Sequence, residues 1–288
     1  MVMGKPSEIL IKARDLNYHY TGDGENIFPA LKGINLDVHQ GEYLAIIGSN
    51  GSGKTTLLKL FNALLDPSEG EVLVEGISTV DHDKIPMIRQ ICGMIFQNPD
   101  NQLVATTVEE DIAFGLENLT IPSAEMRQRV VEVASRLGLE QLLLHPPHLL
   151  SGGEKQRVAI AGILAMHPRC ILMDEPTAML DPAGRKEVLQ TVSDLNKNEG
   201  IAIVHITHFP EEAAMADRVV VINDGCLVKD GPPELILTDL KLLHGLGLVG
   251  TPAVELADLL RTDGFKIPPG TLYNRELVKS LCSFRPKN

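Results

Sequence analysis

The sequence predicts an α/β fold: a buried, mostly parallel sheet carrying a phosphate-type loop, with an antiparallel β subdomain, a helical subdomain and a small C-terminal helical extension. Three observations carry that prediction. A glycine-rich loop, GSNGSGKT from Gly48 to Thr55, lies between an apolar strand, YLAII, and a helix-patterned run, KTTLLKLFNALL. Three all-apolar runs, Cys170 to Met173, Ile201 to Ile206 and Val219 to Ile222, are separated by helical patterns, as buried parallel strands are. The chain before the loop is β-rich and broken by a polar, glycine-containing turn.

Taken in order, Ile9 to Leu16 and Leu31 to Val38 read as strands joined through a turn at Thr21 to Asn26, and Glu42 to Ile47 as the strand entering the loop. Apolar residues then recur at three- and four-residue spacing until Pro67 stops the helix. Glu71 to Val74 and Ile91 to Phe96 read as strands. From about Asp100 to Met166 the chain is mainly helical, with breaks at Pro122 and Pro146. After Pro233 the composition turns leucine- and glycine-rich; Pro252 to Leu260 reads as a short amphipathic helix, and Asn274 caps a last one, Arg275 to Cys282. There is no internal repeat.

At 288 residues the chain is long enough to bury a full core. Its net charge of −12 argues against wrapping nucleic acid by bulk electrostatics. The four cysteines form no CxxC or Cys/His cluster, and three sit in apolar runs, so buried, unpaired thiols in a reducing compartment are expected. The N-terminal MVMGKPSEILIKARD carries charges where a signal peptide needs an apolar stretch, and no run approaches the length of a membrane span. Work at a membrane would need a partner.

The chemistry lies in a few loops. GSNGSGKT fits the P-loop pattern, in which Gly48, Gly51 and Gly53 let the backbone N–H groups of Gly48, Ser49, Asn50, Gly51, Ser52 and Gly53 curl around phosphates. Lys54 adds a point charge, the Thr55 hydroxyl suits Mg²⁺, and Thr56 continues the loop into the helix. In CILMDEP, Asp174 emerges at the end of a buried strand, placed to hold Mg²⁺, while Glu175 suits orienting or deprotonating a water. His208, after the core run IAIVHI, is placed to reach a terminal phosphate; Gln97, after ICGMIF, to reach Mg²⁺ and the water. His205 lies inside the strand and reads as a core residue. LSGGEKQRVAIAG, Leu150 to Gly162, is a second anion-type element, a Ser-Gly-Gly turn opening a helix.

In this order, the P-loop, Gln97, LSGGEKQ, Asp174-Glu175, Leu180-Asp181 and His208 resemble the ATP-binding cassette (ABC) ATPases over about residues 8 to 235. The resemblance implies an ABC nucleotide-binding domain at 1–235, with its helical subdomain at about 100–166, and leaves 236–288 as a C-terminal helical extension. It implies ATP and Mg²⁺ as cofactors and a head-to-tail pair of subunits. In that pair Ser151, Gly152 and Gly153 of one copy serve ATP on the other, Asp181 crosses the interface, and Tyr20, in preference to Tyr18, stacks on adenine. Two departures stand out: PTAMLDP places Ala178 and Met179 where most members have a serine-containing loop, and Phe209 follows the histidine where many carry an acid.

FQNPDNQLVATTVEEDIAFGLEN, Phe96 to Asn118, and LHGLGLVGTPAVELADLLRTDGF, Leu243 to Phe265, resemble the ATPases of energy-coupling factor transporters. That implies an ATPase peripheral to the cytoplasmic face of the cell membrane that drives uptake of a vitamin or transition metal ion, and it makes the extension at 236–288 dimer-stabilising. Its partners would be a second ATPase, identical or paralogous, a transmembrane coupling protein and a substrate-binding membrane protein, with no nucleic acid. The alternatives are an ATPase of another ABC importer or exporter, or a soluble ABC protein acting away from transport; a P-loop kinase or GTPase would lack LSGGEKQ and His208.

Overall fold

The computed structural model describes residues 8–22 and 26–283. The middle of the expected hairpin turn, residues 23–25, and the N-terminal residues 1–7 lie outside the described residues.

Two sheets organise the molecule. β1 (Ile9–Thr21) and β2 (Ile27–His39) form a long antiparallel hairpin. β3 (Tyr43–Ile47) leads through the glycine loop into α1 (Lys54–Phe61). β4 (Glu69–Val74) pairs with the other side of β1, and β5 (Ile77–Ser78) completes a four-stranded sheet in the order β2-β1-β4-β5. After α2 (Ile85–Ile91) come β6 (Cys92–Ile95) and three helices, α3 (Val108–Asn118), α4 (Ser123–Arg136) and α5 (Gly152–Ala165). The chain then alternates: β7 (Cys170–Asp174), α6 (Pro182–Glu199), β8 (Ala202–Ile206), α7 (Pro210–Ala213), β9 (Arg218–Asn223) and β10 (Cys226–Gly231). The six-stranded sheet runs β10-β9-β3-β8-β7-β6, parallel except for the edge strand β10. Every residue of β3, β6, β7 and β8 is buried, which explains why these strands read as continuous apolar runs.

The predicted fold class is the one observed, with local differences. The hairpin strands extend past the expected ends because backbone pairing continues through His19↔Pro29 and Tyr20↔Phe28 to Thr21↔Ile27. α1 stops at Phe61, ahead of Pro67, because Asn62 leaves the helix and Ala63 turns left-handed at φ 52°. The expectation of buried thiols needs correction: Cys92 and Cys170 are buried neighbours on β6 and β7, but Cys226 and Cys282 are exposed. An antiparallel edge strand and a terminal amphipathic helix each leave one face in solvent, which an apolar neighbourhood in sequence does not reveal.

Beyond β10, α8 (Pro233–Ile236) and α9 (Leu240–Gly245) pack on the main body, where Ile236, Leu237 and Leu243 are buried. α10 (Pro252–Thr262) and α11 (Asn274–Ser283) build a small cluster of their own from Ala253, Ala257, Ile267 and Leu277. Tyr273 Oη ties this tail to the body by donating to the Ala214 carbonyl at 2.6 Å. Among the described residues no helix is long and apolar enough to cross a membrane.

Candidate functional site

Parallel strands deliver their ligands at their C-terminal ends. In register, Ile46 of β3 faces Ile206 of β8, and Ile206 faces Asp174 of β7, so the residues after all three strands meet at one edge. The glycine loop follows β3, Glu175 follows β7, and Thr207-His208 follows β8.

The loop is shaped for an anion. A Cβ on Gly48 would lie 2.0 Å from the Ile222 carbonyl oxygen, and one on Gly53 would lie 2.4 Å from the Ala30 carbonyl oxygen. Only backbone fits there, so the loop closes tightly, with Ser52 N–H donating back to the Ser49 carbonyl at 3.2 Å. α1 opens at Gly53, φ 101°, without a side-chain cap or an acid in its first turn, leaving the positive end of the helix unopposed. Ser52 Oγ is buried without a protein partner, and Lys54 Nζ, also buried, donates to the carbonyls of Gly48 and Ser49, each at 2.9 Å. Burial pushes the Lys54 ammonium down, against the pull of Glu175 and Asp174. Gly53→Ala is expected to cost about 1–3 kcal/mol from its left-handed φ alone and to weaken nucleotide binding; denaturant unfolding and nucleotide titration of the variant check both.

The carboxylates stand beside this loop. Thr55 Oγ1 donates to Asp174 Oδ1 at 3.0 Å. Burial raises the Asp174 carboxyl, the Thr55 hydrogen bond opposes this, and the charge of Glu175 adds to the rise. Thr55, Asp174 and the Gln97 amide are hard oxygen donors that suit Mg²⁺ shared with phosphate oxygens. Among the described residues no group of three or more His, Cys, Asp or Glu would hold a metal without such help. Glu175 sits in the left-handed region, φ 50°, half-buried, with its N–H donated to the Ile206 carbonyl at 3.0 Å. Gln97 Nε2 donates to Glu175 Oε2 at 3.2 Å, and His208 Nε2 lies 2.6 Å from Glu175 Oε1. Lys54, Thr55, Gln97, Asp174, Glu175 and His208, spread over more than half the sequence, thus form one constellation.

A cavity of about 370 Å³ runs from Glu175 past Asn50, Gly51, Ser52, Gly53, Lys54, Thr55 and Thr56 to Tyr20. Tyr20 Oη and Thr56 Oγ1 are 3.1 Å apart, and the ring meets Tyr18 edge-on, with centroids 4.9 Å apart. Tyr20 is exposed into the cavity while Tyr18 is half-buried against the core beneath. Phe28, directly across the hairpin from Tyr20 and 58% exposed, lines the cavity beside it. Sequence reasoning missed Phe28; its signal was an aromatic at the far side of a polar turn, legible only once the strand register is known.

Ser151, Gly152, Gly153 and Asp181 lie elsewhere, lining a separate cavity of about 490 Å³ with Arg157, Met179 and Leu180. No residue lines both cavities. The sequence presents the Ser-Gly-Gly turn as an anion-type element expected to serve ATP on a second copy, and in the structure its serine is engaged within its own helix. Ser151 caps α5 in a reciprocal box: Glu154 N donates to Ser151 Oγ at 3.3 Å, while Ser151 N and Oγ donate to Glu154 Oε2 at 2.8 and 2.7 Å. The Ser151 hydrogen bonds hold the Glu154 carboxyl below its ordinary range. A carboxylate at the helix mouth and an Arg157 already paired with Glu187 make this turn a poor phosphate site by itself. Asp181 likewise caps α6, accepting from Gly184 N at 2.8 Å. Lys155 on α5 reaches Asp100, just after Gln97, at 2.7 Å.

Comparison with known proteins gives consistent matches. The family model described as ABC transporter matches residues 31–178. The energy-coupling factor transporter ATP-binding protein EcfA1 of Caldanaerobacter subterraneus is 50% identical over 273 residues, 95% of this chain and 99% of that protein. The structure of CbiO1 from Clostridium perfringens, described as part of the ABC transporter complex CbiONQ, superposes with a TM-score of 0.73 at 37% identity, covering 88% of this chain and 99% of that one. The cassette MJ0796, solved as a dimer in a post-hydrolysis state with ADP and Pi, superposes with a TM-score of 0.70 at 33% identity, covering 77% and 98%.

Proposed function

This chain belongs to the ABC transporter family as an ATP-binding ATPase coupled to transport, and from that premise we propose that it powers an energy-coupling factor importer through head-to-tail closure of an ATPase pair. The observation that carries the proposal is the division of the site. P-loop residues Asn50 to Thr56 and Glu175 line one cavity, beside which Asp174 pairs with Thr55 and Gln97 and His208 pair with Glu175, whereas Ser151, Gly152, Gly153 and Asp181 line another on the same chain. A second subunit, facing the first, brings one copy's Ser-Gly-Gly turn over the other's nucleotide. Neither half needs to move within its own chain.

In this reading Tyr20 holds the base and the backbone of residues 48 to 53 cradles the phosphates. Lys54 offsets phosphate charge from a buried position, where low polarity strengthens the interaction. Thr55, Asp174 and Gln97 would hold Mg²⁺, which would supply charge neutralisation on the phosphate oxygens. Glu175 orients the attacking water and accepts its proton, and Gln97 and His208 fix that carboxylate from either side. His208 is also positioned to contact the terminal phosphate. Because closure is held by contacts to ATP from both copies, hydrolysis removes them and the pair opens.

The membrane side of the proposal rests on a groove of about 660 Å³ lined by Leu64, Ile85, Met94, Phe96, Gln102 and Phe114, among others, with Phe114 half exposed. Phe96 and Gln102 flank the Gln97 segment, and the Lys155–Asp100 pair links that segment to α5, so a transmembrane coupling protein seated in the groove would feel closure. We assign residues 1–235 to the nucleotide-binding domain and 236–288 to an extension whose exposed Leu256, Leu259 and Val278 meet the second subunit. The cargo, a vitamin or transition metal ion, would be captured by a separate membrane protein. The test is reconstitution: the chain co-expressed with its membrane subunits should give ATP-dependent uptake, and Phe114→Asp should abolish co-purification with them. Retention of a fully coupled complex in that variant would refute the groove assignment.

A further inference from the structure

One buried carboxylate near the site has no place in the mechanism above. Glu212 is the third residue of α7, where Pro210 fixes the first turn and leaves Glu211 exposed and Glu212 facing inward, 2% exposed. Its two oxygens gather groups from four segments. Thr177 Oγ1 donates to Oε1 at 2.6 Å, and Thr207 Oγ1 donates to Oε2 at 2.6 Å. His205 Nε2, inside β8, lies 3.4 Å from Oε2, and Arg185 Nε, on α6, lies 3.7 Å from Oε1. The chain continues outward: His205 Nδ1 is 2.9 Å from Tyr43 Oη on β3, and the Arg185 guanidinium sits 3.7 Å over the Phe209 ring.

The positions of these partners matter more than their number. Thr177 is two residues after Glu175, and the loop it anchors ends at Asp181, the cap of α6. Thr207 immediately precedes His208, and its Oγ1 also accepts from Phe209 N at 3.0 Å. Tyr43 begins the strand that enters the P-loop. Glu175 itself holds a left-handed backbone, which a non-glycine residue keeps only where its surroundings over-determine it. The Thr177–Glu212 bond fixes the turn on one side of that backbone, and the Glu175 N–H to Ile206 bond fixes the other. Burial pushes the Glu212 carboxyl up, but His205 and the two threonine hydroxyls outweigh this and hold it below its ordinary range, as the ionised acceptor this geometry needs.

We infer that Glu212 is a positioning residue for ATP hydrolysis: its buried carboxylate locks the loop from Glu175 to Asp181 and the loop carrying His208 into one unit. The inference rests on the proposed roles of Glu175 and His208. It gives His205 and Phe209 a common purpose, because both brace the same lock. Loss of the lock should let Glu175 and His208 drift relative to the P-loop while leaving the P-loop itself, and so ATP binding, intact.

The test uses the full chain with Glu212→Gln, Thr177→Val and Thr207→Val, and with Thr177→Ser and Thr207→Ser as conservative partners. A glutamine keeps the shape of Glu212 but presents only one acceptor oxygen to the two hydroxyls. Steady-state ATPase, nucleotide affinity and thermal melting are measured on each. Glu212→Gln is expected to lower kcat by about 10–100-fold, as small misplacements of reacting groups do, with KM and affinity for ATP changed less than about twofold. The valine variants should lower kcat in the same sense and the serine variants should restore it. Lower melting temperatures with wild-type kcat across Glu212→Gln and both valine variants would overturn the inference and leave Glu212 a purely structural residue. If Glu212→Gln does not fold, the valine and serine pairs decide by the same criterion. Failure of the unmodified chain to hydrolyse ATP would overturn the underlying reading of the site as well, and is read separately.

Discussion

Glu175→Gln is expected to leave ATP binding intact, lower hydrolysis by about 10²–10⁴-fold, the usual contribution of a general base, and accumulate the closed pair. The argument is local. The glutamine side chain keeps the shape of Glu175 and one acceptor oxygen, so it still fits between Gln97 and His208 and holds at least one of the two contacts. It cannot accept a proton from water. ATP therefore stays where both subunits hold it, and the contacts that keep the pair closed are not removed. Steady-state ATPase together with size-exclusion chromatography in ATP checks both halves of the expectation. Wild-type turnover in this variant would remove Glu175 from the mechanism and place the water-activating group elsewhere around the cavity.

Most of the catalytic constellation was legible because parallel-strand architecture is simple to read. A continuous apolar run marks a buried strand, and a polar residue just past its end marks the sheet edge where ligands collect. Asp174, Glu175 and His208 obey that rule, Lys54 and Thr55 are reached from β3 through the glycine loop, and the structure brings them together with Gln97. What escaped depended on register or on direction. Phe28 becomes a cavity wall only because the hairpin pairs it with Tyr20. Glu212 and Glu211 are indistinguishable in the string PEEAA, and the turn after Pro210 decides which is buried. His205 was a hint, since a histidine inside an otherwise apolar strand needs a partner; the partner lay seven residues on, in another element.

The signature turn shows the same limit from another side. Glycines opening a helix do present N–H groups, but LSGGE is also a capping box, and the structure uses it as one. The anion site is therefore incomplete in a single chain. Its serine is engaged with Glu154, and the P-loop lines a different cavity. The composite site we propose rests on that separation as well as on the motif.

Lys54→Ala and Ser151→Ala homodimers should each be inactive, the first because both P-loops lose their charge on phosphate, the second because both signature turns lose their hydroxyl. A mixed dimer carries both defects at one site and none at the other. The most direct measurement is the ATPase rate of dimers assembled from equal amounts of the two variants, with mixing verified by differential tagging. The composite site predicts recovery to about a quarter of the wild-type rate if pairing is random and sites are independent. No recovery in dimers shown to be mixed would contradict a site shared between two chains.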